Sequence, residues 1–200
     1  MEPRPGVDVV AGYRAALDAA AERPGAFLVG GISLGAHVAT AWAADRAPAG
    51  LAGVLVAMPA WTGAPDGAPA AAAARATAAQ VRAGGLAAAV ATARAGAPPW
   101  LAEELARAWA GYGPGLADAL DAAAAEPAPD LDALGSLAVP VGIAAVVDDP
   151  VHPLVTARAW ARALACAAIR TTTLAALGAD PAVLGSAAVL AWQRATGAGR

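Results

Sequence analysis

The sequence predicts an α/β fold: a parallel sheet whose strands alternate with helices, interrupted by a block of helices. Three observations carry this. Short apolar runs end at glycine or proline and lead into stretches with helical spacing. The run from Thr62 to Ser136 is rich in Ala, Gly and Pro and holds helical segments but no strand. Strand character then returns at Val139.

The elements follow in order. Residues 7–22 space Val10, Tyr13, Ala16 and Leu17 as a helix, and Pro24-Gly25 stops it. Residues 26–29 form a short apolar run ending in Gly30-Gly31, which fits a buried strand. Residues 34–44 turn helical, and residues 51–58 (LAGVLVAM) read as a second buried strand closed by Pro59. Helices are expected at 68–83, 85–94, 99–110 and 115–125, with Pro98-Pro99, Pro127 and Pro129 as punctuation. Residues 139–147 (VPVGIAAVV) are the third strand, and a helix is expected at 154–165. Residues 167–174 are the fourth strand, and Arg170 and three threonines suit it to an edge. Asp180-Pro181 then starts a last helix, expected to bury Val183, Ala187, Leu190 and Trp192.

Composition narrows the function classes. Of 200 residues, 58% are hydrophobic, yet the larger apolar residues still suffice for one compact core. All 13 basic residues are arginine, with no cluster, and the net charge is −3. The electrostatic footprint of a nucleic-acid binder is therefore missing. The single cysteine, Cys166, excludes an internal disulfide and a zinc site of paired cysteines, and no metal or organic cofactor is indicated. The uncharged windows 24–44 and 47–65 are broken by glycines or prolines, so neither reads as a membrane span, and no signal pattern opens the chain. The expectation is a soluble, cytoplasmic protein.

Gly31-Ile32-Ser33-Leu34-Gly35 matches G-x-S-x-G. The context matters more than the string: a strand precedes it and a helix follows, as a nucleophile elbow requires. Ser33 would sit on a strained turn, with small residues two before and two after it. The helix start aims free N–H groups at developing negative charge, and Leu34 N–H would be one oxyanion donor. No G-x-G-x-x-G frame fits, and without lysine there is no P-loop.

With these residues in place the chain resembles an α/β hydrolase. Residues 30–39 (GGISLGAHVA) resemble the elbow and its helix. Residues 139–153 (VPVGIAAVVDDPVHP) resemble the strand and loop that carry the catalytic acid. The resemblance implies Asp149 as that acid, ahead of Asp148, with residues 1–61 and 137–200 as the core and 62–136 as a helical lid. It also implies a histidine after the last strand, where Ala179 stands instead. The only histidines are His37 and His152. His37, four residues into the helix after the elbow, is expected to be a packing or surface residue. His152 shares the loop of Asp149 and is the candidate base. Trp61, at the end of the second strand, is a candidate pocket wall or, equally, part of a hinge to the lid. The stripe Trp100, Leu101, Leu105, Trp109 and Tyr112 is read as a helix packing its apolar side, with the lining of an acyl or aromatic substrate pocket as the alternative.

The expected function is a serine hydrolase of an ester, thioester or related small acyl substrate, with Ser33, Asp149 and His152 as catalytic residues. The alternative is a non-catalytic relative that binds a ligand or partner. It is motivated by the Ala179 position and by the few residues before the elbow. The first strand would then be an apolar sheet edge, open to pairing with a second copy.

Overall fold

The structure is a computed structural model that describes residues 6–198, with the side chain of Ala198 excepted. Four strands form one parallel sheet in the order β1-β2-β3-β4: β1 (Phe27–Ile32), β2 (Leu51–Ala57), β3 (Val141–Val146) and β4 (Ala167–Thr172). Each strand is reached through a crossover containing at least one helix, as parallel pairing demands. The helices are α1 (Val9–Ala21), α2 (Leu34–Arg46), α3 (Pro69–Gly96), α4 (Pro99–Ala110), α5 (Leu116–Ala125), α6 (Leu131–Ser136), α7 (Leu154–Ala163), α8 (Leu174–Ala179) and α9 (Ala182–Ala198). Helices α3 to α6 all lie between β2 and β3, where the helical block was expected.

The sheet is covered on both faces over its centre, so β3 is buried at every position. Val141, Ile143 and Ala145 join the larger core, with Trp42 of α2 and Trp160 of α7. Ala144 and Val146 alternate to the other face and meet Leu184, Ala187 and Ala188 of α9. That helix lies close on the strand because Gly142 has no side chain: a Cβ there would stand 2.1 Å from the Ala188 carbonyl.

The strand β1 differs from β3. Its outward positions Leu28 and Ile32 are exposed, and it forms one edge of the sheet. The other edge is β4, where Arg170 and Thr171 face solvent.

Several boundaries depart from expectation for physical reasons. The first strand runs on through Gly30, Gly31 and Ile32, because pairing with Leu55, Val56 and Ala57 of β2 holds the glycines extended. The two helices expected at 68–83 and 85–94 are one element, α3, broken at Gly85, whose φ of 73° only glycine adopts without strain. The stretch between the fourth strand and Asp180, to which the sequence assigns no element, is the short helix α8, and it takes Leu174 from the strand. Thr173 Oγ1 caps it by accepting from Ala176 N–H at 3.1 Å. In α9 the buried side carries Leu184, Ala187, Ala188, Ala191 and Ala195, and Leu190 is exposed. Alanines all round that helix blur the periodicity on which the expected face rested. Asp180 does open α9 as expected, its Oδ1 accepting from Ala182 N–H at 2.9 Å. Cys166 is half-buried with a free thiol. No helix among the described residues is long and apolar enough to cross a membrane.

Candidate active site

The tight turn between β1 and α2 explains the geometry of Ser33. Ser33 N–H still donates to the Ala57 carbonyl at 2.9 Å, extending the ladder one residue past β1. Its own φ and ψ are 52° and −115°, a strained combination for a residue with a side chain. The next residue, Leu34, is the first of α2, so its N–H has no acceptor within the helix. Gly31 is required by contact: a Cβ there would lie 2.4 Å from the Gly35 carbonyl carbon. Gly35 is not. A Cβ on it would meet nothing within 4 Å, so the sequence expectation that both glycines are sterically required holds for Gly31 alone.

The loop after β3 brings the other two groups. Asp149 folds it back on itself, its Oδ1 accepting from Val151 N–H at 2.7 Å and from His152 N–H at 3.3 Å. Its Oδ2 lies 2.9 Å from His152 Nδ1. His152 Nε2 lies 3.0 Å from Ser33 Oγ. The carboxylate therefore accepts from Nδ1–H, which leaves Nε2 to accept from the serine hydroxyl. Burial pushes the Asp149 carboxyl up. The His152 hydrogen bond, the two loop N–H groups and the imidazolium charge outweigh that and hold it below its ordinary value. Side-chain exposure is 8% for Asp149 and 16% for His152, so the pair is shielded yet reachable.

Asp148 does other work. Its Oδ1 accepts from Leu174 N–H at 2.8 Å, tying the loop to the start of α8.

His37 lies one turn into α2 from Ser33 and is fully buried. Its Nε2 accepts from Ala60 N–H at 3.0 Å, so the proton sits on Nδ1, which has no partner among the described residues. Burial first, and the charge of His152 second, lower its pKa to about 3. It is a packing residue, as expected, and neutral.

The structure places Trp61 elsewhere than a pocket wall. It is 7% exposed, its ring packs edge-on against His37 at 4.6 Å, and its Nε1 donates to the Glu126 carbonyl at 3.3 Å. Its own carbonyl accepts from Trp160 Nε1 at 3.2 Å. Trp61 thus joins the core beneath the helical block.

A cavity of about 500 Å³ opens beside the elbow. Ser33, Leu34 and the glycines line it on one side, and Tyr13 of α1 and Tyr112 beyond α4 on the other. Sequence reasoning placed Tyr13 on a packing face and favoured packing for Tyr112, with pocket lining as the alternative.

No family model and no curated protein matches the chain. Solved structures do. An esterase from Thermogutta terrifontis superposes with a TM-score of 0.61 at 22% identity, over 94% of this chain and 70% of that one. An enol-lactonase from Burkholderia xenovorans gives 0.61 at 17%, over 96% and 75%. A hydrolase from Pseudomonas aeruginosa gives 0.58 at 23%, over 96% and 72%. The fold is that of the α/β hydrolases.

Within that fold this chain departs from the resemblance at one point. The position where a histidine was expected, Ala179, is the exposed last residue of α8. Trp100 of α4 lies against the preceding residue: a Cβ on Gly178 would stand 2.3 Å from the Trp100 Nε1. In place of a histidine there, the α/β-hydrolase sheet here presents His152 from the loop after β3.

Proposed function

We propose that the chain is a serine hydrolase of the α/β-hydrolase fold, cleaving an ester, thioester or related small acyl substrate. The observation that carries this reading is the unbroken chain of contacts from Asp149 through His152 to Ser33, at 2.9 and 3.0 Å. A serine hydroxyl alone is a poor nucleophile at neutral pH, and a histidine in hydrogen-bond reach corrects that.

In this reading Ser33 Oγ attacks the acyl carbon while His152 Nε2 takes its proton. Negative charge gathers on the carbonyl oxygen, where Leu34 N–H and the start of α2 stabilise it. His152 then returns the proton to the departing alcohol or thiol as the acyl bond breaks. Water then attacks the acyl carbon and gives a proton to His152, which passes it to Ser33 Oγ as the acid leaves. Asp149 stays ionised and steadies the imidazolium that forms within each half. Neither a metal nor an organic cofactor has a part in these steps. The completed contacts weigh against the alternative of a binding-only relative.

The test is labelling of the folded protein with a fluorophosphonate probe. Wild type is expected to label, Ser33→Ala not at all, and His152→Ala at least about a hundredfold more slowly. Equal labelling by Ser33→Ala, or none by folded wild type, would overturn the reading.

A further inference from the structure

The cavity beside Ser33 has a lining that says what it would hold. Its walls are apolar, with Leu17, Val38 and Ala123 among them. None of its described lining residues is charged. A carboxylate or ammonium group placed there would lose its hydration without a counter-charge, which costs heavily. The polar side chains lining it are three hydroxyls: Ser33, Tyr13 and Tyr112.

The two tyrosines are the only phenols in the chain, and α1 and the turn after α4 bring them together on one cavity. Burial first, and the adjoining Tyr13 hydroxyl second, push the Tyr112 phenol above its ordinary value, so it stays protonated. If one phenol donates to the other, the second O–H can still donate to an oxygen held in the cavity that both tyrosines line.

Building on the hydrolase reading, we propose that this cavity is the acyl pocket, and that it selects an uncharged acyl group carrying a carbonyl or hydroxyl oxygen that the Tyr13–Tyr112 pair binds. A volume of about 500 Å³ admits such a group together with its leaving group. Hydroxyacyl and oxoacyl esters fit this description. Dicarboxylic half-esters and amino-acyl esters do not.

The test needs no turnover. Protein labelled with ¹³C at the tyrosine ζ carbons gives two signals, and both report on this cavity. Titration with 4-hydroxy-2-butanone, an inert neutral ketone, is expected to move both signals saturably, in wild type and in Ser33→Ala. Butanone, which lacks the second oxygen, should bind several-fold more weakly, and the levulinate anion at least tenfold more weakly. Tyr112→Phe should weaken hydroxybutanone binding about tenfold, and Ala123→Trp, which fills the cavity from a half-exposed position, should abolish it. If neither signal moves, if levulinate binds as well as the neutral ketone, or if Tyr112→Phe binds unchanged, the pocket assignment falls. Shifting signals in a protein that fails to label at Ser33 would uphold the pocket and remove the hydrolase reading. Labelling without any shift would remove the pocket alone.

Discussion

Asp149 grips His152 twice: Oδ2 faces the ring Nδ1 at 2.9 Å, and Oδ1 accepts the backbone N–H of the same residue at 3.3 Å. One carboxylate thus sets both the tautomer of the imidazole and the fold of the loop that carries it. These two duties can be separated.

Asp149→Asn keeps an oxygen for the loop N–H groups but loses the charge that fixes the imidazole. Turnover should fall by about 10²–10⁴-fold with little change in melting temperature. Asp149→Ala loses both duties and should also melt several degrees lower, since buried N–H groups of Val151 and His152 lose their acceptor. Steady-state kinetics and thermal melts of the pair check this. Equal melting temperatures would contradict the structural half of the argument.

A histidine introduced at Ala179 should not restore activity to His152→Ala. Ala179 is exposed at the end of α8, so the new ring would point into solvent. Hydrolysis of a p-nitrophenyl ester by the double variant is expected to stay within about tenfold of His152→Ala alone. Recovery to wild-type rates would mean that α8 yields its place to an ordinary histidine loop.

Gly31→Ala and Gly35→Ala should have opposite signs. The first drives a methyl group into the Gly35 backbone and should destabilise by about 1–3 kcal/mol or more. The second has space and lies in the first turn of α2, where alanine should be neutral or stabilise by up to about 1 kcal/mol. Urea unfolding curves of the two variants decide the matter.

His37 makes the protein acid-sensitive. Its pKa is about 3 in the folded chain and near 6.5 when unfolded, so between those values only the unfolded chain binds the proton. Stability should therefore drop as pH falls from 6.5 towards 3, by about 1.4 kcal/mol per unit from this group. Asp149, whose folded pKa is lowered, adds its loss only below the unfolded carboxylate range. His37→Gln keeps an acceptor for Ala60 N–H and removes the proton site, so its stability should be flatter over that window. Parallel slopes for the two proteins would rule out His37 as the source.

What the sequence made legible was local. An apolar run, G-x-S-x-G and a helical stretch lie within twenty residues, so the elbow could be read directly. Asp149 followed from the resemblance of its strand and loop to those that carry the catalytic acid. His152 was only a candidate, because nothing local reveals that its ring turns back across the sheet to Ser33. Trp61 misled because an aromatic residue at a strand end resembles a pocket wall. Its partner, the carbonyl of Glu126, is 65 positions away. The helix α8 was missed because Leu-Ala-Ala-Leu-Gly-Ala is too short and too uniform to show a period. The buried side of α9 was misread for the related reason that its buried residues are mostly alanines.

The placing of acid and base four residues from end to end has a consequence for how this chain can change. Only two short peptides, the elbow and the turn after β3, must keep their residues for the relay to survive. On the proposed hydrolase reading, the stretch from β4 onward supplies no reacting group. It answers to packing and to the Leu174 N–H that holds Asp148, so substitutions there become questions of stability and of how the loop after β3 is held.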